Sequence, residues 1–161
     1  VCDLSANLVA ALQRQDVDLA LVTLASRPSS ARTSTEARLN WVSHPSFEIQ
    51  DTETVALAAY PEGCVFRRAM IAALELKHSQ WRVAVQSQSH AGIVAAVHAG
   101  LAVTSMAAGT APHGLLERAH TETLPALEPV PIYLMGQGTK ASSAARRIED
   151  KIISELEAIF V

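Results

Sequence analysis

Residues 87–106 read SQSHAGIVAAVHAGLAVTSM, and this stretch contains a whole helix followed directly by a strand. Ser87 or Ser89 can cap the helix, because a serine hydroxyl accepts a hydrogen bond from the first free backbone N–H groups. Apolar residues then recur at helical spacing and predict an inward face. These residues are Ile93, Val94 and Val97.

Gly100 follows the last predicted turn of this helix, where glycine ends helices in a left-handed conformation. The apolar residues 101–106 then predict a strand. The preceding residues repeat the alternation, with strands at 55–60 and 81–86 and a helix from Phe66 to Leu76 between them. Continuous apolar strands that alternate with helices indicate an α/β fold with a mostly parallel sheet covered on both faces.

The outer parts of the chain continue the α/β pattern. A helix is predicted after Ser5, and a long helix over residues 141–160. Residues 25–37 and 109–123 are predicted loops, the second with a short helix around residues 115–119. The other predicted strands are 19–24, 38–43 and 130–136.

Composition restricts the class of protein. The chain has 161 residues, a formal net charge of -3 and no block of basic residues. We therefore do not expect it to bind nucleic acid by itself. Two cysteines, Cys2 and Cys64, do not make a disulfide framework and favour a reducing compartment. We find neither a transmembrane run nor a signal peptide, and we therefore expect a cytoplasmic protein without membrane contact.

The start of the helix at Phe66 raises a question of charge. Arg67 and Arg68 lie near its N-terminal end, where the helix dipole favours anions over cations. One interpretation is that this end of the helix faces a ligand cleft. The alternative is that both arginines are simply solvated.

Four ordered segments show a resemblance to a known family. VDLALVT, WVSHP, YPEGCVFRRAMIAAL and SQSHAGIVAAVHAGLAVTSM together resemble the effector-binding domain of LysR-type transcriptional regulators. The resemblance implies two Rossmann-like α/β lobes joined by two crossing strands, as in type 2 periplasmic binding proteins. The first lobe would comprise residues 1–48 and 129–161, and the second residues 52–128, with hinge crossings at residues 47–54 and in ALEPVPI. The family's N-terminal helix-turn-helix, and the first strand and helix of its first lobe, have no counterpart here, so we expect an N-terminally incomplete first lobe.

The resemblance also nominates ligand-binding residues at two helix starts and two strand ends. These residues are Thr23, Cys64, Val65, Phe66, Gln88, Ser89 and Met106. Other interpretations stay open for three of them. Ser89 can be a plain helix cap, Phe66 can be a core residue, and Cys64 can be a redox sensor, although Cys2 is distant in sequence.

The function implied by the resemblance is ligand sensing. A small molecule, carboxylated because two helix N-termini favour an anion, would bind between the lobes and control DNA binding by the full-length regulator. We expect no enzyme activity, cofactor or metal, a homodimer or homotetramer for the full-length protein, and DNA contact only through a helix-turn-helix domain outside this chain. The alternatives are a solute-binding protein of a transporter and a small α/β enzyme, although no nucleophile-elbow or phosphate-loop motif supports the latter.

Overall fold

A computed structural model describes residues 3–47, 54–136 and 142–159 of the chain. Helices and strands are mixed along this length, and they alternate strictly only over residues 55–107. The helices are α1 (Ser5–Gln13), α2 (Val65–Leu76), α3 (His90–His98) and α4 (Ser143–Ile159). The strands are β1 (Leu19–Thr23), β2 (Ala31–Ala37), β3 (Leu39–Ser43), β4 (Val55–Ala59), β5 (Trp81–Gln86), β6 (Thr104–Ala107), β7 (Leu116–Arg118) and β8 (Val130–Gly136).

The chain divides into two compact units, residues 1–37 with 131–161 and residues 38–130. In the first unit, β8 lies between β1 and β2 in one sheet, and β1 pairs with β8 antiparallel. Its core is mostly aliphatic, with one aromatic residue among the buried members. The buried members are Leu12, Ala20, Val22, Tyr133 and Met135.

Helix α4 is fixed to the sheet of the first unit by an ion pair. Arg32 Nε on β2 donates to Glu149 Oε1 at 2.7 Å, and the Glu149 side chain is only 6% exposed. A carboxylate this deeply buried needs its partner, because an unpaired buried charge costs several kcal/mol in order of magnitude. The pair therefore sets which face of α4 packs on the sheet.

The second unit carries two groups of strands. β3 lies between β6 and β7 and pairs antiparallel with both. β4 and β5 pair in parallel, and Leu57 forms a further parallel bridge with Val103, just before β6. Helices α2 and α3 connect these parallel segments. A main apolar cluster of this unit consists of Val42, Ala56, Ala58, Ile93, Ala96, Val97, Ala102 and Met106.

Several predicted elements match the structure closely. The predicted strands at 81–86 and 130–136 have the bounds of β5 and β8. Gly100 follows the end of α3 with a φ of 68°, the left-handed conformation that its position required. Residues 160 and 141 of the long C-terminal helix, and most of the hinge crossing at 47–54, lie outside the described residues.

Other predictions were wrong. Residues 25–37 are not all loop, because 31–37 form β2, whose alternating half-buried and exposed residues lack the apolar run that we sought. The short helix expected near 115–119 is the strand β7. The sheets are also not mostly parallel among the strand pairs with a described register, since an apolar run indicates burial but not the direction of its neighbour.

The two compact units differ from the predicted lobes at both boundaries. Residues 38–47, which we placed in the first lobe, belong to the second unit because β3 pairs with β6 and β7. The other boundary falls at 130/131 instead of 128/129. The lobe limits implied by the resemblance stay a prediction.

Candidate functional site

Two helix starts lie at one edge of the second unit. α2 begins after β4 and α3 begins after β5, and these two strands are parallel neighbours. Their carboxyl ends therefore share an edge, which is where α/β proteins bind ligands. A backbone bond marks this edge, since the Ser87 N–H donates to the Ala59 carbonyl at 3.2 Å.

The start of α2 combines buried and accessible residues. Cys64 is its N-cap, with an extended backbone and no side-chain cap bond. Val65 is buried and packs inward, whereas Cys64 and Phe66 are half-buried. The Phe66 carbonyl accepts a hydrogen bond from Ser105 Oγ on β6 at 3.4 Å, which fixes this turn against a second strand.

Arg67 explains why a cation occupies the positive end of a helix. Its Nη1 donates to the Tyr60 carbonyl at 3.2 Å and to Gln86 Oε1 at 2.8 Å, so it joins the ends of β4 and β5. Charge-assisted bonds contribute about 1.5–3 kcal/mol, against a dipole penalty of about 0.3–1 kcal/mol. The bonds therefore outweigh the penalty.

The carboxylate nearest to Arg67 neutralises it poorly. Glu62 Oε1 lies 3.8 Å from the Arg67 Nη2, and the Glu62 side chain is 92% exposed. Exposed ion pairs contribute little because water screens them. The Arg67 side chain itself is only 14% exposed, so a largely desolvated positive charge remains beside the helix start.

The start of α3 is built differently. Ser89 lies at the N-cap position, as predicted, but its exposed hydroxyl makes no cap bond. Ser87 holds the turn instead. Its Oγ accepts a hydrogen bond from the Ser89 N–H at 3.0 Å and donates one to the Ser89 carbonyl at 3.2 Å. The Ser89 hydroxyl is thereby left without a capping role.

A direct hydrogen bond ties the two helix starts to each other. The Tyr60 hydroxyl, just after β4, lies 3.0 Å from His90 Nδ1 in the first turn of α3. Together with the Arg67–Gln86 bond, this contact connects the turn before α2 with the turn before α3. The structure therefore brings Cys64, Val65, Phe66, Gln88 and Ser89 to one region of the second unit.

A surface cavity of about 260 Å³ opens at the start of α2, lined by Glu62, Gly63, Cys64, Arg67, Arg68 and Ile71. A larger one, about 320 Å³, lies at the other end of the same helix beside Glu75 and Trp81. The C-terminal end of a helix carries partial negative charge. The smaller cavity is thus the better place for an anion.

The two remaining nominated residues have different surroundings. Thr23 belongs to the first unit, where its N–H donates to Ser5 Oγ at 3.0 Å and its Oγ1 lies 3.2 Å from the same oxygen. Met106 is 5% exposed and belongs to the apolar cluster of the second unit. Ligand contact by either residue stays a prediction.

A carboxylate elsewhere in the second unit holds a loop. Glu117 Oε1 accepts from Asn40 Nδ2 and from the Gly109 N–H, both at 2.7 Å, and Oε2 accepts from the Ala111 N–H at 3.3 Å. Burial raises the pKa of Glu117, but these three hydrogen bonds together outweigh burial and lower the pKa below its ordinary value. The ionised form is therefore the one that the fold requires.

The described residues contain neither a cluster that fits a metal ion nor a helix that fits a bilayer. No group of three or more histidine, cysteine or acidic side chains is placed to hold a metal ion within residues 3–47, 54–136 and 142–159. In the same ranges, no helix has both the length and the apolar character needed to cross a bilayer.

Four residues that connect the helix starts were not nominated from sequence. Tyr60, Gln86 and Ser87 are ordinary polar residues at strand ends, and His90 is the first residue of α3. The partners of these four residues lie two to thirty positions away. Only Ser87 had a readable signal, as one of two serines before a predicted helix. The others required knowledge of which strands are neighbours.

The fold defines a class, the α/β domains built from two compact units. Within this class, residues 1–153 match the family described as LysR substrate binding domain, and the chain belongs to that family. The match confirms both the resemblance drawn from sequence and the type 2 periplasmic-binding-protein-like fold. No curated protein sequence matches the chain.

Solved structures of regulatory domains are similar to the chain. The effector-binding domain of QuiR in complex with shikimate has a TM-score of 0.69 at 11% identity, over 98% of this chain and 80% of that one. The Synechocystis PCC6803 CcmR regulatory domain in complex with 2-PG has a TM-score of 0.66 at 12% identity, over 97% and 81%. Full-length CbnR with its target DNA has a TM-score of 0.63 at 15% identity, over 95% of this chain and 58% of that one. At these identities the similarity shows the fold alone.

Proposed function

We propose that this chain is the ligand-sensing domain of a LysR-type transcriptional regulator. A small carboxylated molecule binds at the linked starts of α2 and α3. Binding stabilises one arrangement of the domain over another, and the full-length protein passes this change to its DNA-binding part. The domain acts in the cytoplasm, by binding and without turnover.

One observation carries the proposal: two helix N-termini meet at one strand edge beside the poorly neutralised Arg67. Free N–H groups and partial positive charge at helix starts hold carboxylates and phosphates. The bound ligands of the similar structures, shikimate and 2-PG, are both anions with a carboxylate. They support the chemical class of the effector without fixing its identity.

Within this proposal the nominated residues contact different parts of the ligand. Cys64 and Val65, at the start of α2, and Gln88 with Ser89, before α3, offer the carboxylate their backbone N–H groups and the Ser89 hydroxyl. Phe66, half-buried, lies against the apolar body of the ligand. Ligand contact by Thr23 and by Met106 is an expectation from the family resemblance. Full-length chains assemble as homodimers or homotetramers and contact DNA through a helix-turn-helix domain.

Binding to the unsubstituted chain is the direct test. Shikimate, 2-PG and a panel of small carboxylates are added at millimolar concentration, and the melting temperature is followed. A ligand at one hundred times its Kd stabilises the folded state by about 2.7 kcal/mol. The methyl ester of each active acid is the matched control, and we expect it to lose most of the shift because it lacks the carboxylate charge.

Two variants place the binding site. Phe66→Ala and Ser89→Ala should each weaken an active ligand, whereas Lys77→Ala at the far end of α2 should leave its affinity unchanged. Equal affinity in all three variants would place the site elsewhere. Conversion of the added acid to a product, measured by mass spectrometry, would contradict the sensor proposal and indicate an enzyme.

A further inference from the structure

Gly92, in the first turn of α3, lies unusually close to the Ser87 side chain. A Cβ atom built on Gly92 would lie 2.5 Å from Ser87 Oγ and 3.1 Å from Ser87 Cβ. Side chains do not approach so closely, so any larger residue at position 92 forces the Ser87 hydroxyl to move. Gly92 does not have a positive φ, so the need for glycine comes from this approach and not from the backbone conformation.

The Ser87 hydroxyl has a defined task in that position. It accepts from the N–H of Ser89 and donates to the carbonyl of Ser89, at 3.0 and 3.2 Å, so both of its hydrogen-bonding roles serve one residue. The same Ser89 carbonyl also accepts the Ile93 N–H of α3 at 3.2 Å. Ser87 therefore fixes the backbone from which α3 starts.

We infer that Ser87 and Gly92 are positioning residues of the candidate effector site, an inference that rests on the proposed function. Gly92 gives room for the Ser87 hydroxyl, and Ser87 takes over the stabilisation of the turn. The exposed Ser89 hydroxyl, which makes no cap bond, is thereby left for an anionic ligand together with the first N–H groups of α3.

Gly92→Ala tests the close approach without any ligand. Alanine inside a helix ordinarily stabilises it relative to glycine. Here the clash with Ser87 should make alanine destabilising instead. We expect the melting temperature to fall by about 2–4 °C, which is the shift that one overpacked contact produces in a chain of this length. In a Ser87→Gly background the clash is absent, so the same alanine should raise the melting temperature.

Ligand titrations distinguish a positioning role in the binding site from an effect on stability alone. Shikimate and 2-PG are titrated calorimetrically into the full chain and its variants. We expect Gly92→Ala to weaken binding about tenfold, which corresponds to a misplaced hydrogen-bonding group. The double variant Ser87→Gly/Gly92→Ala should be more stable than Ser87→Gly alone but should not recover affinity. Ala95→Gly, at an exposed position in the middle of α3 and outside its first turn, is the matched control that lowers stability and leaves affinity unchanged.

The outcomes are distinct for the two proposals. If neither acid binds the unsubstituted chain, the proposed function fails for these ligands. The turn is then judged by amide exchange, in which Gly92→Ala should remove the protection of the Ser89 N–H. A higher melting temperature for Gly92→Ala, unchanged Ser89 protection, or affinity that simply follows stability in every variant would overturn the inference.

Discussion

The starts of α2 and α3 solve the same structural problem with different chemistry. Both follow a parallel strand, and both have an extended N-cap residue that makes no side-chain cap bond. The α2 start is held by the charged Arg67, whose partner Gln86 is 19 positions away. The α3 start is held by the neutral Ser87, only two positions from the backbone that it binds.

The difference teaches how charge is distributed at the candidate site. A tertiary contact lets Arg67 add positive charge beside one helix start, whereas a local hydroxyl leaves the other start neutral apart from its dipole. An anion would therefore meet a full charge on the α2 side and hydrogen-bond donors on the α3 side. The variants below break or sharpen this contrast.

Arg67→Met should have the largest effect, because it removes the charged side of the comparison. The lost bonds cost about 1.5–3 kcal/mol and the relieved dipole returns about 0.3–1 kcal/mol, so we expect a net loss of about 1–2 kcal/mol in the free energy of unfolding. The affinity for 2-PG should fall at least tenfold. Urea unfolding and calorimetric titration measure the two effects.

Arg68 provides the control for charge alone. It is the exposed neighbour in the same helical turn, so Arg68→Met should change stability by less than about 0.5 kcal/mol. Equal losses for the two methionine variants would mean that charge near the helix, and not the bonds to Tyr60 and Gln86, accounts for the result.

Glu117→Gln separates acid-sensitive from acid-insensitive parts of the second unit. The folded pKa of Glu117 lies below its ordinary value, so its contribution is present at neutral pH and is lost as the pH falls below about 4.5 through the folded pKa. Glu117→Gln should lose about 1 kcal/mol at pH 7 and lose less than the unsubstituted chain between pH 5 and pH 3. Urea unfolding at several pH values measures this.

Glu62→Gln is the reference for the acid experiment. The α2 start relies on a cation and neutral acceptors, with Glu62 exposed at 3.8 Å, so this substitution should change neither stability nor its pH dependence. A pH response as large as that of Glu117→Gln would show that the carboxylate holds Arg67 in place.

Of the three substitutions that remove hydrogen bonds, Tyr60→Phe should have the smallest effect, because it removes only the hydroxyl that links the two starts. We expect a loss of about 0.5 kcal/mol, at the low end for a hydrogen bond that water can replace. The double variant Tyr60→Phe/His90→Ala should lose less stability than the sum of the two single losses, because each single substitution already removes the shared bond. A double-mutant cycle measures this difference. Strict additivity would mean that the two starts are energetically independent.

The sequence was a good guide wherever one element decides the result alone. β5 and β8 are apolar runs between turn residues, and Gly100 ends a helix by its own conformation, so local rules were sufficient. β2 was missed because ARTSTEA contains no large apolar residue. Alternate residues of β2 are half-buried because the strand belongs to a sheet, and its own sequence does not predict that pairing.

The candidate site was predictable to the same extent. The two helix starts and Ser87 were within reach, because capping is local. The roles of Gln86, His90 and Arg67 were not, since each depends on β4 and β5 being neighbours. Gly92 had a weak signal, a glycine inside a helical pattern, but its reason is a contact with an atom five positions earlier.

The hydrogen bonds among Tyr60, Arg67, Gln86 and His90 have a practical consequence for biosensor engineering. A designer who transplants only one of the two turns into a homologous domain severs its cross-links and leaves the donor residues without acceptors. Segments 60–67 and 86–92 should therefore be exchanged as a single cassette, and libraries that randomise one segment should keep the matching residues of the other.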